Sequence, residues 1–205
     1  MNNNFIIDYY SNLLENIFKK SDDEKEYILF IENDFNILDN FSFIIKKKNL
    51  KINIVINNSN KEIYNKLLNH IKGEECEENI SIYLKIRDII NKKIDYIVFF
   101  HLESIENLDI TLKLLKNVLN NDFLIYIYAS LSNKSKNIIK NIIREQIIIF
   151  TDNRLGFILS YEEVIKCVNK HYKIDSIKIL KKNNYFIYGN NTVYEIILSD
   201  KNIIL

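Results

Sequence analysis

Chemistry in this chain is expected first at Glu32-Asn33-Asp34-Phe35-Asn36, a polar turn between the apolar run Glu26-Tyr27-Ile28-Leu29-Phe30-Ile31 and an apolar-periodic helix. Carboxylate and carboxamide oxygens accept hydrogen bonds from a ligand's hydroxyl or amine groups. The turn after a strand of an open α/β sheet is where a nucleotide-like cofactor is held. Asp34 or Asn36 also stands where a helix N-cap belongs. Other reactive side chains are scattered. His101 follows a strand-like run, Ile94 to Phe100, and Ser130 and Lys134 follow another, Phe123 to Ala129, without a recognisable nucleophile or base partner. Cys76 and Cys167 lie far apart and lack CxxC spacing, so neither a disulfide framework nor a zinc site is expected. Four acids around Cys76, from Glu74 to Glu78, read as a solvated loop rather than a cation site.

The elements that must position these residues follow from periodicity. Ile6, Tyr10, Leu13, Leu14, Ile17 and Phe18 form a helical stripe over residues 5–19. After the first strand, Ile37, Leu38, Phe41, Ile44 and Ile45 form a second stripe, and Lys51 to Ile56 reads as a second strand. Ser59 with Glu62 gives a capping-box pattern for a helix through Ile63, Leu67 and Ile71, which Gly73 stops. Ile80–Ile86, Ile94–Phe100 and Phe123–Ala129 are short apolar runs of the kind buried on both faces of a parallel sheet. A helix carrying Ile105, Leu108, Leu112, Leu115 and Leu119 separates the last two, and residues 133–146 are helical again. Residues 146–160 read as a short hairpin. Ser160 with Glu163 is a second capping box. Ile174–Leu180, Tyr185–Tyr188 and Thr192–Leu198 then read as consecutive antiparallel strands, separated at 181–184 and 189–191. Strands alternating with helices predict a three-layer α/β sandwich, a mostly parallel sheet closed by a C-terminal antiparallel hairpin.

Composition narrows the function classes. The chain has 205 residues, 47% hydrophobic and 27% charged, which fits one globular domain. It contains no proline, where average usage gives about ten. Together with abundant Asn, Ile and Lys, that reads as the coding bias of an AT-rich genome. Net charge is +1 with no long basic stripe, so nucleic acid is a weak expectation as partner. Lys46-Lys47-Lys48 falls in the last turn of a predicted helix, where cations favour the dipole. No apolar run approaches the ~18 residues of a membrane span, and the first residues do not read as a signal peptide, so a cytoplasmic protein is expected.

The order of elements and several local runs resemble class I S-adenosylmethionine-dependent methyltransferases, a Rossmann-like family. The resemblance covers roughly residues 10–198. Tyr27-Ile28-Leu29-Phe30-Ile31-Glu32 is similar to the family's first strand with its terminal acid, and Ile54-Val55-Ile56-Asn57-Asn58-Ser59 to the second, whose end normally carries the ribose-binding acid. Arg87-Asp88 stands where the family places an acid near the adenine, and Ile94 to Leu102 is similar to the fourth strand. The resemblance implies a single methyltransferase-like domain over 1–205: an N-terminal helix at 1–25, a parallel α/β core at 26–145, and a helix with antiparallel strands at 146–205. It also implies a cofactor set of Glu32, Asp34, Asn36, Asn57 and Asp88.

The motif departs from the family's pattern. With Glu32 as its acid, the family's glycines fall at Asp34, Asn36 and Leu38, where side chains obstruct close backbone approach and positive φ is harder to adopt. Asn57 replaces an acid and lacks its charge. The expectation is a catalytically degenerate methyltransferase-like module that no longer binds S-adenosylmethionine strongly, its cofactor being none or S-adenosylmethionine, and that acts through a protein partner or a homo-oligomer. The alternative is an active S-adenosylmethionine-dependent methyltransferase with a divergent cofactor loop. Ile28 to Asp34 also resembles the first strand of response-regulator receiver domains, but Ile94–Phe100 is followed by His101 rather than by a phosphate-accepting aspartate.

Overall fold

Three apolar runs of the sequence become neighbouring strands at the centre of a sheet. The computed structural model describes residues 3–31, 41–56, 60–89, 92–100, 102, 107–132, 160–185 and 189–200. Its elements in chain order are α1 (Asn3–Lys20), β1 (Glu26–Ile31), α2 (Ser42–Lys47), β2 (Lys51–Ile56), α3 (Lys61–Ile71), β3 (Ile80–Tyr83), β4 (Ile94–Phe100), α4 (Leu108–Leu115), β5 (Leu119–Ser132), α5 (Tyr161–His171), β6 (Lys173–Tyr185) and β7 (Gly189–Ser199). The seven strands lie in the order β3-β2-β1-β4-β5-β7-β6. β1 pairs in parallel with β2 and β4, β2 with β3, and β4 with β5, while β7 runs antiparallel between β5 and β6.

Strands buried on both faces need helices on both faces. Leu14, Ile17 and Phe18 of α1, Ile45 of α2 and Ile63, Leu67 and Ile71 of α3 cover one side. Leu108, Leu112 and Leu115 of α4 with Val164 and Val168 of α5 cover the other. This is the three-layer α/β sandwich the alternation predicts, with its parallel sheet closed by an antiparallel hairpin.

Local chemistry explains the boundaries. α2 ends in a Schellman motif: Asn49 takes φ 50°, its N–H bonds Lys46 O at 3.1 Å, and the Leu50 N–H bonds Ile45 O at 2.9 Å. Lys48 Nζ then donates to Lys19 O (3.1 Å) and Ser21 O, tying α2 to the turn before β1. Gly73, at φ 85°, follows α3 as predicted. The predicted Ser160–Glu163 capping box is present: Ser160 Oγ accepts from Glu163 N at 3.3 Å, and the Ser160 N–H donates to Glu163 Oε2 at 3.1 Å.

Several sequence expectations need correction. The N-cap of α3 is Asn60, not Ser59, with Oδ1 accepting from Glu62 N (2.9 Å) and Ile63 N (3.2 Å); a carboxamide one residue later fits the first turn. β3 stops at Tyr83 rather than Ile86 because a 3-10 turn, Ile86–Asp88, intervenes. Leu119 belongs to β5, where it pairs with Ile94, not to the preceding helix. The three expected C-terminal strands are two, because residues 181–184 continue β6 instead of forming a turn. The predicted helix at 133–146, the hairpin at 146–160 and the Asp34 or Asn36 cap lie outside the described residues. Among the described residues, no helix is long and apolar enough to cross a membrane.

Candidate cofactor site

The strand order reverses direction between β1 and β4: the chain leaves β1 toward β2 and β3, then crosses back to β4 and β5. Helices on opposite faces diverge at such a point, which opens a crevice beyond the carboxyl ends of the strands. The floor of that crevice can be read from register. Phe30 is level with Val55 and Phe99, Val55 with Tyr83, and Phe99 with Ile127, giving an apolar row on the α4–α5 face. The Phe30 and Phe99 rings stack across the switch point, 4.4 Å apart and 12° from parallel. One step further, Ile31 is level with Ile56 and Phe100 with Tyr128, on the opposite face. These last strand levels are thus aliphatic and aromatic, without a charged side chain among the residues named.

Asp88 is the member of the predicted site that the described residues include. Ile86 and Ile89 pack into the α4–α5 core on either side of it, Ile89 almost fully buried. These anchors leave Arg87 and Asp88 exposed in the 3-10 turn on the same rim as the ends of β1 and β2. The Asp88 N–H is used locally, bonding Lys85 O at 3.0 Å, which leaves the carboxylate as a free acceptor among the described residues. Glu32 and Asn57 come next in sequence after Ile31 and Ile56, whose Cα atoms are register partners. Glu32, Asp34, Asn36, Asn57 and His101 themselves lie outside the described residues.

The opposite rim carries a polar cluster that sequence reasoning did not single out. Asp95, at the start of β4, accepts from Glu26 N (2.9 Å), Lys25 Nζ (3.3 Å) and Asn120 Nδ2 (2.8 Å). Glu26 in turn accepts from Lys92 Nζ (2.8 Å) and from Asn53 Nδ2 (3.0 Å), and the nearly buried Asn53 also donates to Tyr27 O (2.9 Å). The cluster joins β1, β2, β4 and β5 and fixes the strand levels at the other end. Asp95 also raises the pKa of Lys25, the pair's attraction outweighing partial burial. Polar residues inside or beside predicted strands were its only sequence signal.

A second grouping ties α4 to α5. Asp109 Oδ1 on α4 receives Lys170 Nζ (3.2 Å), His171 Nε2 (2.9 Å) and Cys167 Sγ (3.7 Å) from α5. Burial first, then the Asp109 charge, pushes the Cys167 thiol up to about 11, so it is protonated at neutral pH and a poor nucleophile. The grouping fastens α4 to α5, alongside the buried Tyr172 hydroxyl donating to Leu112 O at 2.8 Å.

No family model matches the chain, and no curated protein matches its sequence. Solved structures do. The crystal structure of the MccD protein superposes with a TM-score of 0.66 over 96% of this chain and 96% of its own, at 9% identity. Geranyl diphosphate C-methyltransferase from Streptomyces coelicolor A3(2), solved with S-adenosyl-L-homocysteine, gives 0.68 over 94% and 78%, at 8% identity. A SAM-dependent methyltransferase from Aquifex aeolicus gives 0.57 over 91% and 88%, at 12% identity. The fold is that of class I S-adenosylmethionine-dependent methyltransferases. Within the methyltransferase fold, the reversed β7 between β5 and β6 carries the sheet beyond the crevice: β5 continues from Tyr128, level with the end of β4, to Ser132. At ~3.3 Å per residue this is a wall about 13 Å high on one side of the opening.

Proposed function

We propose that this chain is an S-adenosylmethionine-dependent methyltransferase with a divergent cofactor loop, acting as one domain over residues 1–205. The reading rests on one observation: the ends of β1, β2 and β3 share a rim at the switch point, with an exposed Asp88 on it whose carboxylate has no partner among the described residues. The described part of the site suits the cofactor, since an exposed acceptor held between two apolar anchors matches an adenine amine. Asp88 would take that amine, Asn57 the ribose hydroxyls, and Glu32, Asp34 and Asn36 the remaining polar groups. The cofactor, when bound, supplies a methyl group activated by its positive sulfur. The chain's own share is to hold and orient it above the apolar floor of Phe30 and Phe99.

A second reading is favoured by the sequence itself, in which Asp34, Asn36 and Leu38 stand where the family has glycine. It describes a degenerate module that binds no cofactor and serves a protein partner or a second copy. Thermal melting with S-adenosylhomocysteine separates the two. A ligand at 100 times its dissociation constant adds about 2.7 kcal/mol, which raises the midpoint by roughly 5–10 °C in a domain of this size. An unmoved midpoint at millimolar ligand leaves only the module.

A further inference from the structure

The two edges of the sheet differ. β3 ends one side with four residues, whereas β6 ends the other with thirteen. Every side chain from Asp175 to Ile179 is exposed. Ile177 is level with Ile196 and Ile179 with Tyr194, both buried in the α4–α5 core, so the two isoleucines lie on the same face as that core. Yet Ile177 is 40% and Ile179 50% exposed. The apolar layer of the core thus continues onto the edge strand, where these two side chains stay exposed and no described element is laid over them. Register shifts at Ile174/Ser176 and Ile179/Lys181 bracket a regular run, Ser176–Ile179, whose outward backbone groups have no backbone partner among the described residues.

Charge selects what fits there. Residues 173–182 hold four lysines and one aspartate, a local +3 in a chain whose total is +1. Asp175 is already paired with Lys173 at 3.6 Å, and within the sheet Glu195 stands opposite Lys178. A second copy would set this cationic strand against its like, which is unfavourable for directly opposed positions. We infer that β6 is a docking edge for an acidic, extended segment of another polypeptide, which adds as an eighth strand along Ser176–Ile179. Such a segment alternates apolar residues, opposite Ile177 and Ile179, with an acid opposite Lys178, and has acidic flanks. Ladder hydrogen bonds would supply affinity and the alternation selectivity. The flanking bulges, which usually blunt an edge, here confine pairing to one register.

The test uses the full chain and a fluorescein-labelled peptide alternating valine with glutamate, read by anisotropy at low and high salt. Binding is expected, weakened about tenfold or more by salt, by Lys178→Glu and by replacing the peptide's glutamates with lysine. Methylating alternate peptide nitrogens is expected to abolish it, because it removes ladder donors without changing charge. Ile179→Thr keeps a strand-favouring residue at an exposed position, and circular dichroism melting checks that each variant is folded. Equal affinity for the glutamate and lysine peptides, or indifference to nitrogen methylation, overturns the inference. So does no binding by the folded wild-type chain. A wild-type dimer in sedimentation that Ile179→Thr dissolves would assign the edge to a second copy instead, which also overturns it.

Discussion

Asp88 shows how a single side chain becomes available for binding. Its neighbours Ile86 and Ile89 are drawn into the core, and the tight turn between them leaves Asp88 exposed, its carboxylate without a partner among the described residues. Its replacement should therefore separate binding from stability. Asp88→Ala is expected to weaken S-adenosylhomocysteine binding by about 1.5–3 kcal/mol in calorimetry, as for a lost charge-assisted hydrogen bond, while the melting midpoint hardly moves. Equal losses in both would make Asp88 structural. Asp109 behaves in the opposite way. Hydrogen bonding from His171, then from Lys170, holds its carboxyl below the ordinary 3.8. A depressed folded pKa gives a contribution that is complete above the unfolded pKa and disappears as pH falls through the folded one. The gap in melting temperature between wild type and Asp109→Asn should be present above about pH 5 and close in stronger acid. A gap that persists at the lowest pH would show that the tie does not depend on the carboxylate's charge.

At the scale of elements, the N-cap of α3 gives a direct check. Asn60→Ala should cost about 1 kcal/mol in denaturant unfolding, since two first-turn N–H groups lose their acceptor; a cost near zero would return the capping role to its neighbour. How well each element could be read from sequence depended on burial. β1, β2 and β4 were predicted with the boundaries observed, because central strands covered on both faces must be continuous apolar runs. The Ser160–Glu163 box was legible because its chemistry is local. β5 was read too short: its first residues, Leu119-Asn120-Asn121-Asp122, are mostly polar, yet Asn120 reaches across to Asp95, a contact no local pattern encodes. β6 was cut at 181–184 because lysine and asparagine suggest a turn, whereas an edge strand with solvent beside it needs no apolar period. Of the candidate site residues, Asp88 falls among the described ones, in the exposed turn after β3. Sequence reading missed the Asp95 cluster and the α4–α5 fastening, whose partners lie 25 to 70 residues apart.

Across the whole molecule, the described polar ties of the parallel strands gather at the rim away from the crevice, around Asp95 and Glu26. Removing that anchor should be felt well beyond one strand. Asp95→Ala strands the Glu26 N–H and releases Lys25 and Asn120, for an expected loss of about 2–3 kcal/mol. Hydrogen exchange should then speed up in β1 and β5 together; acceleration confined to β4 would mean that the cluster is not a shared anchor. Because Asp95 and Glu26 set the strand levels from the amino ends, replacing the exposed Arg87 or Asp88 at the far end should leave the register of β1, β2, β4 and β5 unchanged.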